Sequence, residues 1–324
     1  MQTTAIKNQA NLKKDTARSG NSKVGNYFRQ IIKNLDVYVL ALPLLVLLLL
    51  FRYGPMYGVL IAFKDYSIGK GVLGSTWVGL KHFKILFADS EFIRVILNTL
   101  ALSFYKLVVA FPAPIILAIL LNELRSMHFK RVVQTVTYIP HFISWVIISG
   151  IFIDLLSPTS GIINRMIELM GGEPIFFMAD KGWIRSVMVF THVYKEVGWS
   201  AIIYLAAIAG IDQELYQAAK VDGANKLRQI WHITIPGISS TIVVLLVLRL
   251  GHLLDAGMEQ VLIMYNPSVY EVVDIIDTYV YRKAFMDFQL SLTTAAGLFK
   301  SVIACILLVM TNKLSKKISA SSLF

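Results

Sequence analysis

Residues 40–51 read LALPLLVLLLLF, twelve positions without a charge. With its flanks the run covers 37–53. About 20 mostly apolar residues are needed to cross the roughly 30 Å hydrocarbon core of a bilayer as a helix. Five further stretches of that kind follow: 93–121, 132–156, 184–210, 237–258 and 289–311. The second is longer than a perpendicular span requires, so it tilts or breaks. Pro112 and Pro114 mark where a kink is expected, because proline removes a backbone donor and crowds the preceding turn. The fourth and fifth are interrupted by charges. The first run is not a cleavable leader, since about 36 residues precede it and no small-residue cleavage site follows.

Composition agrees with a membrane chain. The 324 residues are 56% hydrophobic and 16% charged, against about 45–50% and about 25% in ordinary soluble domains. Two soluble domains could not hide that much apolar surface, and a disordered chain would carry far less of it. The formal net charge of +11 would in a soluble protein point to nucleic acid or an acidic surface. Here the charges report orientation. Segments 1–35, 122–131, 212–235 and 312–324 carry 7, 3, 3 and 3 Lys or Arg residues, and the longer segments 52–91, 157–183 and 259–287 carry 5, 2 and 2. Basic residues collect on the cytoplasmic side, which places both termini there. The expected organisation is a basic cytoplasmic segment 1–35, an all-α six-helix membrane domain 36–311, and a cytoplasmic tail 312–324.

Residues 212–236 read DQELYQAAKVDGANKLRQIWHITIP. This cytoplasmic loop is too apolar and too patterned for a linker. Leu215, Ala218, Ala219 and Asp222 recur at helical spacing, Gly223 permits a sharp turn, and Leu227, Ile230 and Trp231 form a second apolar face. Pro236 suits a helix start. Two short helices joined at a glycine are expected, as a surface connector or a dock for a soluble partner.

The loop resembles the EAA signature of ABC importer permeases: E-A-A, three residues, G, nine residues, I-x-L-P. Gln217-Ala218-Ala219, Gly223 and Ile233-Thr234-Ile235-Pro236 keep that spacing, with Gln217 in place of Glu and Ile235 in place of Leu. The stretches PMYGVLIAFKDYS (55–67), GWSAIIYLAAIAGID (198–212), DGANKLRQIWHITIPGI (222–238) and TAAGLFKS (294–301) resemble the polysaccharide and oligosaccharide, maltose-type branch, over roughly 36–315. The resemblance implies the type I importer permease fold in a bacterial inner membrane. It implies a second, different permease subunit, two cytoplasmic ATPases and an extracytoplasmic solute-binding protein, with ATP and magnesium held by the ATPases and no cofactor in this chain. It also implies coupling through Gln217, Ala218, Ala219, Asp222, Gly223, Ile233 and Pro236, with alternating access around a midplane site.

Charges at membrane depth are costly and face protein or water. His192, Lys195, Glu196 and Trp199 fall at i, i+3, i+4 and i+7, on one helix face. Arg249, His252 and Asp255 follow at three-residue intervals in the fifth span. Tyr138, His141 and Trp145 share a face in the third, and Lys106 and Lys300 add cations. These side chains either line a watery sugar path, with hydroxyl partners and aromatic faces, or pair internally. The excess of Lys106, Lys195, Arg249 and Lys300 over Glu196 and Asp255 suits an acidic saccharide such as a uronate oligomer; the alginate importer is a family member with such a substrate.

Other signals carry no chemistry. Gly69-Lys70-Gly71-Val72-Leu73-Gly74 matches GxGxxG but lies in an external loop, outside the strand–helix context a dinucleotide site needs. The single cysteine, Cys305, precludes an intrachain disulfide and is expected to pack inertly. No HExxH, Walker A or GxSxG sequence occurs, so the chain is expected to be a transport subunit and not an enzyme. The external loop 259–287 holds Tyr265, Tyr270, Tyr279 and Tyr281, which either meet a binding protein or sit at the membrane interface. Two rival classes stay open. A secondary transporter would use Lys195 and Glu196 as ion sites, and a membrane-embedded enzyme would need a catalytic constellation.

Overall fold

The computed structural model describes residues 33–318, with side chains to Lys313. The basic segment expected at 1–35 and the end of the tail 312–324 lie mostly outside the described residues. The chain falls into two compact units divided between Leu60 and Ile61.

The first unit contains helix α1 (Leu35–Leu48), prolonged by a wide turn at Leu49–Tyr53 and by a tight 3₁₀ helix, Gly54–Phe63, whose last three residues are counted in the second unit. None of the α1 residues is buried, and Leu40 is 81% exposed. A helix apolar on every side belongs in lipid.

In the second unit a short hairpin follows, β1 (Lys64–Asp65) antiparallel to β2 (Thr76–Trp77). The GxGxxG match lies in its tip, so no βαβ unit surrounds it. Helix α2 (Lys81–Ala88) precedes α3 (Ser90–Ala110), which starts where Asp89 accepts a 2.8 Å bond from the Glu91 N–H. That contact satisfies one of the free donors of a helix start. Phe111 then marks the expected break, and Pro112 opens α4 (Pro112–Glu123).

The stretch expected as one span at 132–156 is two helices. α5 (Met127–Phe142) and α6 (Trp145–Leu155) meet at 107°. Pro140 leaves the last turn of α5 without a donor, and Ser144 caps the new helix by accepting from the Ile147 N–H at 3.4 Å. Tyr138 and Trp145 therefore do not share a helix, which corrects the expected stripe.

Helix α7 (Ile162–Leu169) lies in the 157–183 segment, ahead of α8 (Ile184–Ala209), 26 residues or about 39 Å long. The loop helices α9 (Gln213–Val221) and α10 (Lys226–Gln229) follow. A wide turn at Ile230–Thr234 and a 59° bend then lead into α11 (Ser239–Gly251). α11 ends seven residues short of the expected 258. The chain turns at His252–Asp255 and passes through Gly257, whose φ of +90° favours glycine, before α12 (Met258–Met264). His252 and Asp255 therefore do not continue the Arg249 face. Helices α13 (Ile276–Phe285) and α14 (Leu290–Ile318) complete the unit.

Three apolar cores hold these elements. One centres on Leu102, Phe152, Met188 and Val273. A second holds Phe92, Tyr279 and Ala296, and a third Ala118, Tyr204 and Ile238. Among the described residues, Leu35–Phe63, Ser90–Glu123 and Leu290–Lys313 are each long and apolar enough to cross a membrane, and the two bent pairs raise the number to five. α8 has the length but carries Arg185, Lys195 and Glu196.

Candidate substrate groove and coupling loop

His192, Lys195, Glu196 and Trp199 do share a face of α8, and that face meets the α5–α6 corner. Lys195 is buried and donates to three backbone carbonyls, of Pro140 (3.3 Å), His141 (2.6 Å) and Ile143 (2.6 Å). Its ammonium also stands 5.6 Å from the centre of the Trp145 ring. A cation at the C-terminal end of α5 complements the carbonyls left free there. Glu196 is held by His141 Nδ1 at 2.9 Å, and the His141 ring stacks on Trp199 at 4.7 Å with planes 1° apart. His192 stacks against Trp145 at 6.3 Å. The two helices can approach this closely because Gly198 has no side chain: a Cβ there would lie 2.0 Å from the Thr137 carbonyl oxygen.

Lys106 is also consumed internally. It is buried and donates to Ala256 O (2.7 Å) and Gln260 Oε1 (2.6 Å). Gln260 in turn donates to Met188 O (2.7 Å) and Thr191 Oγ1 (2.6 Å). This network braces the turn that follows α11. Lys300 is clasped by both oxygens of Asp277 at 2.6 and 2.8 Å. Asp255 is exposed.

Arg249 differs from these three. It faces a cavity of about 330 Å³ between α8, the α3–α4 break and α11, together with His192, Glu196, Trp199, Ser200, Tyr204, Phe111 and Pro114. Among the described residues it has neither a hydrogen-bond nor an ion-pair partner. The cavity thus offers one uncommitted guanidinium, a carboxylate shared with a histidine, hydroxyls and an indole face. Guanidinium suits planar carboxylates through paired N–H donors. Of the four deep cations read from the sequence, only Arg249 meets this cavity.

The loop at 212–236 has the expected two helices around a glycine. α9 is capped by Asp212, which accepts from Glu214 N–H at 2.9 Å. It ends in a left-handed turn at Gly223 (φ +74°), where Ala224 N–H reaches Ala219 O at 2.8 Å. That bond satisfies a terminal carbonyl in the manner of a Schellman stop. Asn225 then caps α10 by accepting from Arg228 N–H at 2.9 Å. Tyr216 OH meets Thr234 Oγ1 at 2.9 Å, bracing the loop on itself, and Lys226 pairs with Glu123 at 2.6 Å, fastening it to the end of α4. Ile233 packs on the Tyr204 core. Gln217, Ala218, Asp222, Gly223 and Pro236 are exposed and Ala219 half-exposed. Around them stand Leu215, Val221 (88% exposed), Leu227 and Trp231 (66%). Apolar side chains gathered on one exposed loop mark an interaction surface.

The segment 259–287 carries a network that hydropathy could not reveal. Arg282 pairs with Glu91 and with buried Asp274, each at 2.7 Å, and lies over Tyr270. Burial disfavours its charge, but the bonds to Asp274 and Glu91 outweigh this and push its pKa above the ordinary value. Tyr279, one of the four external tyrosines, is a core residue bonded to Asp89 at 3.2 Å. Tyr265 packs on Tyr270 at 4.6 Å. No group of three or more His, Cys, Asp or Glu residues able to hold a metal occurs among the described residues. Cys305, expected to pack, is exposed on α14.

Residues 110–320 match the model of the binding-protein-dependent transport system inner membrane component. The polygalacturonan/rhamnogalacturonan transport system permease protein YteP of Bacillus subtilis (strain 168) is 46% identical over 91% of this chain and 92% of its own. The protein LplB of the same organism is 47% identical over 89% and 91%. Among solved structures, a chain of a bacterial ABC transporter involved in the import of the acidic polysaccharide alginate is 39% identical. It superposes with a TM-score of 0.85, over 91% of this chain and 99% of that one. A second structure of the alginate transporter, in complex with an alginate pentasaccharide-bound periplasmic protein, matches equally well. With fold, loop spacing and sequence in agreement, the chain belongs to the binding-protein-dependent transport system inner membrane components, a family of transport permeases and not of enzymes.

Proposed function

We propose that this chain is one permease subunit of an ATP-driven saccharide importer in a bacterial inner membrane, with an acidic oligo- or polysaccharide as substrate. In this reading six spans cross the membrane, the broken α5–α6 pair and the charged α8 included, and both termini are cytoplasmic. A second, different permease supplies the other half of the path. Two cytoplasmic ATPases hold ATP and magnesium, and an extracytoplasmic binding protein delivers the sugar.

The observation that carries this reading is the exposed loop around Gly223. Its apolar side chains lack a cover, and its helix ends are internally satisfied, so it is a preformed dock. Gln217, Ala218, Ala219, Asp222 and Gly223 are the residues that an ATPase groove would meet, and small alanines allow close approach. ATPase closure would move α9 and, through Tyr216–Thr234 and Ile233, the core around Tyr204. That core borders the cavity containing Arg249, Glu196 and Trp199, where sugar carboxylates, hydroxyls and ring faces each find a partner. The acidic substrate is supported by Arg249 and by the names of the 46% identical permease and the alginate transporter. The same loop disfavours a secondary transporter, which needs no such dock.

The test is reconstitution. The complex purified through this chain, placed in proteoliposomes with its binding protein, should take up trigalacturonate. Uptake driven by an ion gradient in place of ATP would reject the reading.

A further inference from the structure

The cavity that contains Arg249 has a neighbour along α8. A second cavity of about 600 Å³ lies against the first half of α8, and the two share Val193. Arg185, Val189, Val193, Glu196, Ser200 and Ile203 line one or the other, at intervals of three or four, so they form one stripe along the helix. The opposite wall is equally continuous: Tyr105 and Val109 border the outer cavity, Ala110 and Phe111 the inner. From Arg185 to Tyr204 the groove follows α8 for about 28 Å.

The charged residues lining the outer half are both basic, Lys181 and Arg185. Lys181 is neutralised by Glu271. Arg185 is not neutralised: its Nε donates to Val272 O and one Nη to Asn98 Oδ1, each at 2.9 Å, and neither partner carries a charge. These bonds fix the guanidinium at the groove wall without cancelling it. Arg185 lies about 10 Å along α8 from His192, at the level of the inner cavity.

We infer that the outer half of the groove is a separate carboxylate-binding subsite, in which Arg185 holds one acidic sugar residue while Arg249 holds another deeper in the same chain. The inference rests on the groove being the saccharide path. Two unneutralised arginines in adjoining cavities along one face of α8 match a polymer with repeated carboxylates. A neutral sugar would use neither charge. Tyr105 adds a ring face and a hydroxyl beside Arg185.

The test uses the whole transporter in proteoliposomes, with Cys305→Ala in this chain and a single Val193→Cys. The labelled peptide is quantified by mass spectrometry. With each rate divided by that of the same reagent on free cysteine, an open, cationic groove favours the anionic sulfonatoethyl methanethiosulfonate about fivefold over the cationic trimethylammonioethyl reagent. Arg185→Gln lowers that preference and Arg185→Lys retains it, which separates charge from folding. Trigalacturonate slows the labelling, and its carboxyl-reduced counterpart does not. No labelling by either reagent would mean that lipid or the second permease covers the groove, and would overturn the subsite. So would a preference unchanged in Arg185→Gln. ATP-driven uptake by the same vesicles is scored independently, so either of those results leaves the importer assignment standing.

Discussion

Two of the sharp turns in the chain, the α5–α6 corner and the one at Gly223, are finished in opposite ways. At the α5–α6 corner the freed carbonyls of Pro140, His141 and Ile143 are all taken by Lys195, and His141 is held by Glu196 and Trp199. At Gly223 the backbone is satisfied too, but Leu215, Val221, Leu227 and Trp231 are left facing outward. A corner closed by its own chain serves architecture. A corner with a finished backbone and an uncovered apolar surface serves a partner. The same contrast sorts the cations: Lys106, Lys195 and Lys300 are enclosed by their own chain, and Arg249 is left to the cavity.

Substitutions should separate the two corners. The largest effect is expected at Lys195. Lys195→Met leaves the His141 and Ile143 carbonyls without a donor, while Pro140 O keeps the Ile143 N–H, and should lower stability by about 3 kcal/mol, seen as a lower thermal midpoint in detergent. Gly198→Ala comes next. Its methyl would meet the Thr137 oxygen, and the overpacking should cost about 2–3 kcal/mol by the same measurement. Stability unchanged in both would mean the corner is not the internal lock described here.

Gly223→Asp should behave differently. Nothing lies within 4 Å of a Cβ at that position, so the complex should assemble with only the strain of a left-handed residue, about 1–2 kcal/mol. Uptake should nevertheless fall about tenfold, since about 1.4 kcal/mol of lost docking suffices for that. Normal uptake would remove the loop from coupling. Arg249→Gln should lower uptake of trigalacturonate while ATPase stimulation by the loaded binding protein persists, because docking and passage use different residues. Loss of both together would place Arg249 in the scaffold.

The smallest effect is in the segment 259–287. Burial, with Tyr270 alongside, pushes the Tyr265 phenol up to about 12, and burial beside Asp89 raises Tyr279 further. Both favour the protonated form in the fold, so their contribution is full below the ordinary tyrosine range near 10 and is lost as pH rises through the folded values. Spectrophotometric titration should find these phenols ionising late, with stability declining above about pH 10. Early ionisation of both would show that this segment is open.

Much of this was legible in the sequence, and the failures have physical causes. The long apolar helices at the first, second and last expected spans, the break at Pro112 and the two-helix loop followed from apolar runs, proline and glycine. The i, i+3, i+4, i+7 stripe at His192–Trp199 correctly gave one face, but spacing cannot say what lies opposite. Lys195 met carbonyls, and Glu196 and Trp199 met His141. The bend after Pro140 was missed because hydropathy runs straight through it. The expected Arg249–Asp255 stripe failed because α11 stops at Gly251. Arg185 and the Arg282–Asp274–Glu91 network went unseen because their partners are up to 191 residues away in sequence. No local pattern marks such pairs.

The most direct test of the central claim is uptake of labelled trigalacturonate by proteoliposomes containing the complex purified through this chain. The account predicts uptake only with ATP and magnesium on the cytoplasmic side and the binding protein outside, and its loss in Gly223→Asp. Uptake without ATP, driven by a proton or sodium gradient and indifferent to Gly223, would contradict it.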